Sequence, residues 1–175
     1  MAASVDTPLM TALAAHKSSV INKWLERTFQ AYLESTNRFF PHEKDPFCSP
    51  VDRTLREGLS SLFLGLTRGL NVAALAPDLY GIVRIGAVHD MSASQAVGFV
   101  FILKHVIREE LETDAKCISQ WTTDLDARID EMALLAFDIF MRVRQQICEM
   151  RVSEVRRMTS LLEQEHWQVE EETIG

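Results

Sequence analysis

From Thr123 to His166 the chain runs for more than forty residues without a proline or a glycine. Proline removes a backbone donor and glycine maximises backbone entropy, so a tract lacking both, with apolar residues at threes and fours, is read as one long helix. Leu125, Ile129, Met132, Leu135, Ala136 and Ile139 form a core-facing stripe in its first half. Its second half carries a narrower seam, with Leu134, Met141, Cys148, Val155 and Leu162 at intervals of seven. The companion positions Phe137, Arg144, Arg151 and Met158 are mixed, which is half of a coiled-coil signature. A bundle helix with a solvated arginine face and a dimer or partner seam both remain open.

A chain of 175 residues suits one domain with its own core. Hydrophobic content of 47% and charged content of 25% are globular values. The net charge of −7 argues against nucleic acid and against an anionic membrane surface. Cys48, Cys117 and Cys148 are odd in number and form no CxxC pair, so a disulfide framework is not expected and a reducing cytoplasm is. No basic residue precedes the apolar patch LMTALAA, so a secretory signal is not expected. No uncharged run approaches the roughly 20 residues that span a bilayer.

Upstream, Pro8 to about Glu34 reads as an amphipathic helix capped by Asp6 or Thr7, with Leu9, Leu13, Val20, Ile21, Trp24, Leu25, Phe29, Tyr32 and Leu33 apolar. The proline-rich FFPHEKDPFCSP is the longest connector. A second helix spans about Pro50 to Gly69, striped by Leu55, Leu59, Leu62, Phe63 and Leu66. Pro77 to Val88 is expected as a helix with Tyr80, Val83 and Ala87 on one face. The stretch YGIVRIGAV competes as a strand, but no strand partner is evident elsewhere. In HDMSASQAVGFVFILKHVIREEL, Ser92 and Gln95 have capping-box spacing, and Ala96 to Leu103 carries no charge. A helix apolar on every side is enclosed by other helices, so this segment is expected to be the innermost rod. Glu109, Glu110 and Glu112 crowd the negative end of its dipole, so that end is shielded or the helix continues. A short helical piece carrying Ile118 and Trp121 should follow. The expected division is a flexible N-terminus at 1–7, a helical domain at 8–166 and an acidic tail at 167–175.

Motifs for chemistry are few. The sequence contains no phosphate loop, dinucleotide fingerprint or nucleophile elbow, and an enzyme is not expected. HEKDP lacks the second histidine of a zinc protease. Glu163 and His166 have di-iron spacing, but no second Glu-x-x-His accompanies them and no metal is expected. His105, on the buried helix, and His89, on a turn, are the candidate axial ligands if the chain is a haem-binding globin relative. No cofactor is otherwise expected. The cysteines are read as structural, and Arg142, Arg144, Arg151, Arg156 and Arg157 as an ion-paired face with Glu149 and Glu154.

The run GIVRIGAVHDMSASQAVGFVFILKHVIREEL, with LREGLSSLFLGL before it and ALLAFDIFMRVRQQICEMRVSEVRR after it, resembles the N-terminal domain of RsbT co-antagonist proteins of the RsbRD type. The resemblance covers most of residues 20–157. It implies an all-α, globin-like sensory bundle with a long C-terminal helix, acting in bacterial stress or metabolic signalling without enzymatic activity. In such proteins the domain precedes a STAS module, joined by a helix that contributes to dimerisation. This sequence leaves no room for that module, so a free-standing sensory or adaptor domain, or an accessory subunit of a larger complex, is expected. The candidate ligand or partner surface is Arg84, His89, Asp90, Gln95, Lys104 and Arg108, the polar groups at the two ends of the buried segment. Caps and ion pairs that merely finish a core helix explain the same residues. The expected partners are a protein and a second copy of the chain, through the Leu134–Leu162 seam.

Overall fold

The computed structural model describes residues 8–35, 50–69, 71–111 and 123–174. These residues are helical nearly throughout, and no strand occurs among them. The helices are α1 (Pro8–Ala15), α2 (Lys17–Ser35), α3 (Pro50–Thr67), α4 (Ala76–Val88), α5 (Ala93–Val97), α6 (Phe99–Leu111) and α7 (Thr123–Ile174), with a 3₁₀ turn at Val72–Leu75 ahead of α4. The expected caps Asp6 and Thr7, the connector with Cys48, and the piece carrying Cys117, Ile118 and Trp121 lie outside the described residues.

The expected first helix is interrupted at His16, although the His16 N–H still donates to the Ala12 carbonyl and the Val20 N–H to that of His16. The second ends where glycine permits it: Gly69 has φ 71°, a left-handed conformation that a side chain disfavours. The stretch that competed as a strand is helix α4. Its buried residues are Leu79, Ile82, Val83, Gly86 and Ala87, while Tyr80 faces outward rather than sharing the face of Val83 and Ala87. Proline near its start, at Pro77, suits a first helical turn, whose N–H groups have no partner within the helix.

Two units divide the chain at Met141/Arg142, within α7. In the first, α2 packs on α6, α3 and α5, and α4 packs on α3 and α5. Its core includes Trp24, Tyr32, Leu55, Leu59, Leu62, Phe63, Leu79, Ile82 and Phe99, and from α7 Leu125, Ile129, Met132 and Ala136. Gly86 permits a close approach of α4 to α5. A Cβ added there would stand 2.7 Å from the Cβ of Ala96 and 3.2 Å from its Cα, so only glycine lets α4 and α5 meet. The second unit is the remainder of α7, Arg142 onward, and its described residues from Cys148 to Leu161 are all exposed.

Candidate functional site

The segment expected as an innermost rod is two helices. Gly98 separates α5 from α6, and its carbonyl accepts from both Phe101 N–H at 3.0 Å and Ile102 N–H at 3.2 Å. Ala96, Val97, Phe99, Val100 and Leu103 are buried, Ile102 is half-buried, and Phe101 is 47% exposed. Enclosure on every side is therefore incorrect. One flank of α6 faces solvent and carries Phe101 and His105, so the run is apolar beyond what its packing requires.

The join is held from α2. Trp24, Thr28 and Tyr32 recur every four residues on one buried face. Trp24 Nε1–H donates to the Phe99 carbonyl at 2.6 Å, and its ring stacks on Phe99 with centroids 6.2 Å apart. The Tyr32 hydroxyl donates to the Ala96 carbonyl at 2.9 Å, and burial pushes the phenol's pKa up. Two buried donors thus satisfy carbonyls on either side of the α5–α6 join. Thr28 is fully buried between them, its hydroxyl without a hydrogen-bond partner among the described residues.

At the N-terminal end of α5 the expected capping box is complete. Ser92 Oγ accepts from Gln95 N–H at 3.3 Å, and Gln95 Oε1 accepts from Ser92 N–H at 2.9 Å. Just before it, His89 caps α4, Asp90 takes φ 56°, and the Met91 N–H returns to the Gly86 carbonyl at 3.0 Å. That is the bond pattern of a Schellman turn with an aspartate in the left-handed position, and the buried Met91 is its apolar contact.

The acidic end of α6 is shielded by α2, one of the two expected solutions. Glu110, with its side chain only 8% exposed, receives Lys23 Nζ at 2.5 Å, the Ser19 hydroxyl at 2.9 Å and His16 Nδ1 at 3.5 Å. Lys23 and Ser19 hold its pKa below the ordinary carboxylate value against the cost of burial. Arg27 grips Glu109 through both terminal guanidinium nitrogens, Nη1 at 2.9 Å and Nη2 at 2.7 Å, and lowers that carboxyl's pKa too.

On the other flank Lys104 Nζ lies 2.6 Å from Asp130 and 3.1 Å from Asp126, and Arg108 stands 3.8 Å from Asp126. Burial opposes the Lys104 charge, but the two carboxylates outweigh it and raise the ammonium's pKa. The six candidate surface residues are thus dispersed. His89, Asp90 and Gln95 shape the α4–α5 turn, Lys104 and Arg108 tie α6 to the start of α7, and Arg84 is exposed on α4. Gln95 also lines a hollow of about 400 Å³ with Ala31, Glu34, Ser94, Gly98, Phe99 and Ile102. Pattern reading missed Trp24 and Tyr32 as donors and Glu110 as a collecting point. Their partners are 64 to 94 residues away, and no local spacing signals them.

His105 is exposed and His89 caps α4, so neither stands in the dry pocket that an axial haem ligand needs. Among the described residues no three His, Cys, Asp or Glu side chains gather as a metal site, and no helix is long and apolar enough to cross a membrane.

The described residues thus form an all-helical body whose polar groups serve as caps and latches, and whose last helix leaves Leu134, Met141 and Val155 exposed. The model of the RsbT co-antagonist protein RsbRD N-terminal domain matches residues 19–155, most of the chain, and the chain belongs to that family. It is a family of regulatory domains in stress signalling. No curated protein and no solved structure matches the chain.

Proposed function

We propose that the chain is a non-enzymatic, cytoplasmic regulatory domain of bacterial stress signalling, dimeric through α7, which passes a signal to a protein partner. The observation that carries this reading is the seam. Leu134 is 69% exposed, Met141 51% and Val155 63%, and Cys148 is exposed between them. Burying a side chain of this size contributes about 1.5–3 kcal/mol, so several on one face make a helix that gains by pairing. Leu162, the last seam position, lies beyond the side chains described.

The input in this reading is the α4–α5 turn, where Asp90 and Gln95 are exposed, with Arg84 exposed on α4 before it. A partner or small ligand loading that turn acts on the capping box, hence on the α5–α6 join. The Lys104 and Arg108 pairs with Asp126 and Asp130 carry the displacement to α7. Family membership supports the regulatory role, and the latches support the route.

Light scattering on the chain tests the dimer. The wild type is expected at twice the monomer mass, and the double substitution Cys148→Glu with Val155→Glu at the monomer mass. A wild type that stays monomeric at high micromolar concentration removes the seam from the proposal. A dimer unaffected by both substitutions places the contact elsewhere.

A further inference from the structure

The hollow beside the α5–α6 join carries one charge, and that charge selects what can fill it. Its floor is apolar: Phe99 is buried, and Ala31 and Ile102 are half-buried. Its mouth is polar, with Glu34, Ser94 and Gln95 exposed. No lysine, arginine or histidine is among the described residues that line it, so it disfavours phosphates, nucleotides and simple carboxylic acids. One carboxylate is too few to hold a metal ion, and about 400 Å³ lies at the small end of ligand-sized pockets. Glu34 Oε1 accepts from Gln30 Nε2 at 2.9 Å, which leaves Oε2 for a second donor. Gln95 is divided in the same way. Its Oε1 accepts from Ser92 N–H at 2.9 Å, so its side chain reaches a ligand through the amide N–H groups.

We propose that the hollow binds a free α-amino acid with an apolar side chain, an inference that rests on the input reading above and gives the class of its ligand. The ammonium donates to Glu34 Oε2, the Gln95 amide donates to the carboxylate, and the side chain lies on Phe99, Ile102 and Ala31. An amine without a carboxylate leaves the Gln95 amide idle. An acid without an amine meets the Glu34 carboxylate as a like charge. A charged ligand side chain would lie against the apolar floor, so leucine, isoleucine or phenylalanine is favoured over aspartate or lysine. Gln95 belongs both to the hollow and to the capping box, and the floor from Gly98 to Ile102 is the first turn of α6. Trp24 and Tyr32 already hold this join from α2. The amino acid adds a third tie from the same helix, Glu34 to ligand to Gln95.

The experiment titrates the full chain, followed by protein NMR, with L-leucine, with 3-methylbutylamine, which lacks the carboxylate, and with 4-methylpentanoate, which lacks the amine. Leucine is expected to bind about tenfold or more tightly than either analogue. Two substitutions at exposed positions, each close to the original in shape, give the residue roles. Glu34→Gln is expected to weaken leucine about tenfold. Gln95→Glu keeps an oxygen for the Ser92 N–H, hence the capping box, and is expected to invert the preference in favour of 3-methylbutylamine. No binding of leucine at about 10 mM overturns the proposal, and light scattering on the same sample shows separately whether the dimer stands. Binding of 4-methylpentanoate equal to that of leucine, or leucine binding unchanged in both variants, overturns it as well. Leucine binding that depends on Glu34 but leaves hydrogen exchange at the Gln95 N–H unchanged upholds the amino-acid site and removes the α4–α5 turn as the input.

Discussion

Up to Met141 the chain gathers most of its apolar residues into a core, with Leu134, Phe137 and Met141 left exposed on α7; from Cys148 to Leu161 every described side chain is outside. In the first unit the α7 positions Leu125, Ile129, Met132, Ala136 and Ile139 are buried, as their spacing requires. In the second, Met150, Val152, Val155 and Met158 are exposed on a helix of the same regularity. A helix of given periodicity is thus no guide to what covers it. Stability in the first unit resides in its own core, whereas helicity in the second depends on what it meets, because packing rather than propensity sustains most protein helices. Substitutions in the two should therefore differ in kind. Those in the body shift unfolding at every protein concentration, and those beyond Arg142 change its concentration dependence.

Trp24→Ala should separate the two regions most. It removes a fully buried indole, its stacking on Phe99 and the donor to the Phe99 carbonyl, at a cost of about 3–5 kcal/mol. Chemical denaturation followed by circular dichroism should lose the cooperative transition of the body or move it far down. The seam variant Val155→Glu should leave the unfolding free energy of the isolated monomer within about 0.5 kcal/mol of wild type. Equal effects from the two substitutions would dissolve the distinction. Gly86→Val comes next, at about 1–3 kcal/mol, because its side chain has no room against Ala96.

What the sequence makes legible divides along the same line. Features specified by neighbours a few residues apart are readable: the Ser92–Gln95 capping box, the helix stop at Gly69, and the uninterrupted tract of α7. Features specified through space are not. Nothing local marks Glu110 as the meeting point of His16, Ser19 and Lys23, or the Ala96 and Phe99 carbonyls as acceptors from α2. The uncharged run at Ala96–Leu103 misleads for a physical reason. Hydrophobicity permits burial without compelling it, and Phe101 sits outside at little cost. The six residues chosen as a surface were legible as polar ends of a buried segment, but three of them share one turn and two of them a latch, which only packing reveals.

Acid should sharpen the comparison at a smaller scale. The Glu110 pKa is lower in the folded chain than its ordinary value of 4.5, so its contribution is present in full above that value. It is lost as pH falls through the lowered folded value. Glu110→Gln should cost about 1 kcal/mol at neutral pH, after allowance for the half-exposed Lys23, and should flatten the loss of body stability between pH 5 and 3, a range set at roughly the carboxylate pKa. A variant that loses as much stability in acid as wild type would show that the α2–α6 latch is not where the acid sensitivity lies.

The smallest effect concerns the α4–α5 turn, and it asks whether that turn is held by backbone or by side chain. Asp90 has φ 56°, where a Cβ is disfavoured and aspartate is tolerated better than most. Asp90→Gly and Asp90→Ala remove the same carboxylate, so their difference isolates the backbone. Glycine should be the more stable by about 1 kcal/mol, read as a difference in denaturation midpoint at constant slope. If the two are equal, the turn relaxes out of the left-handed region, and the Met91 N–H bond to Gly86 no longer fixes the approach to the capping box. A ligand or partner whose binding falls in both variants while stability follows the glycine–alanine order would assign Asp90 to the input surface as well as to the fold.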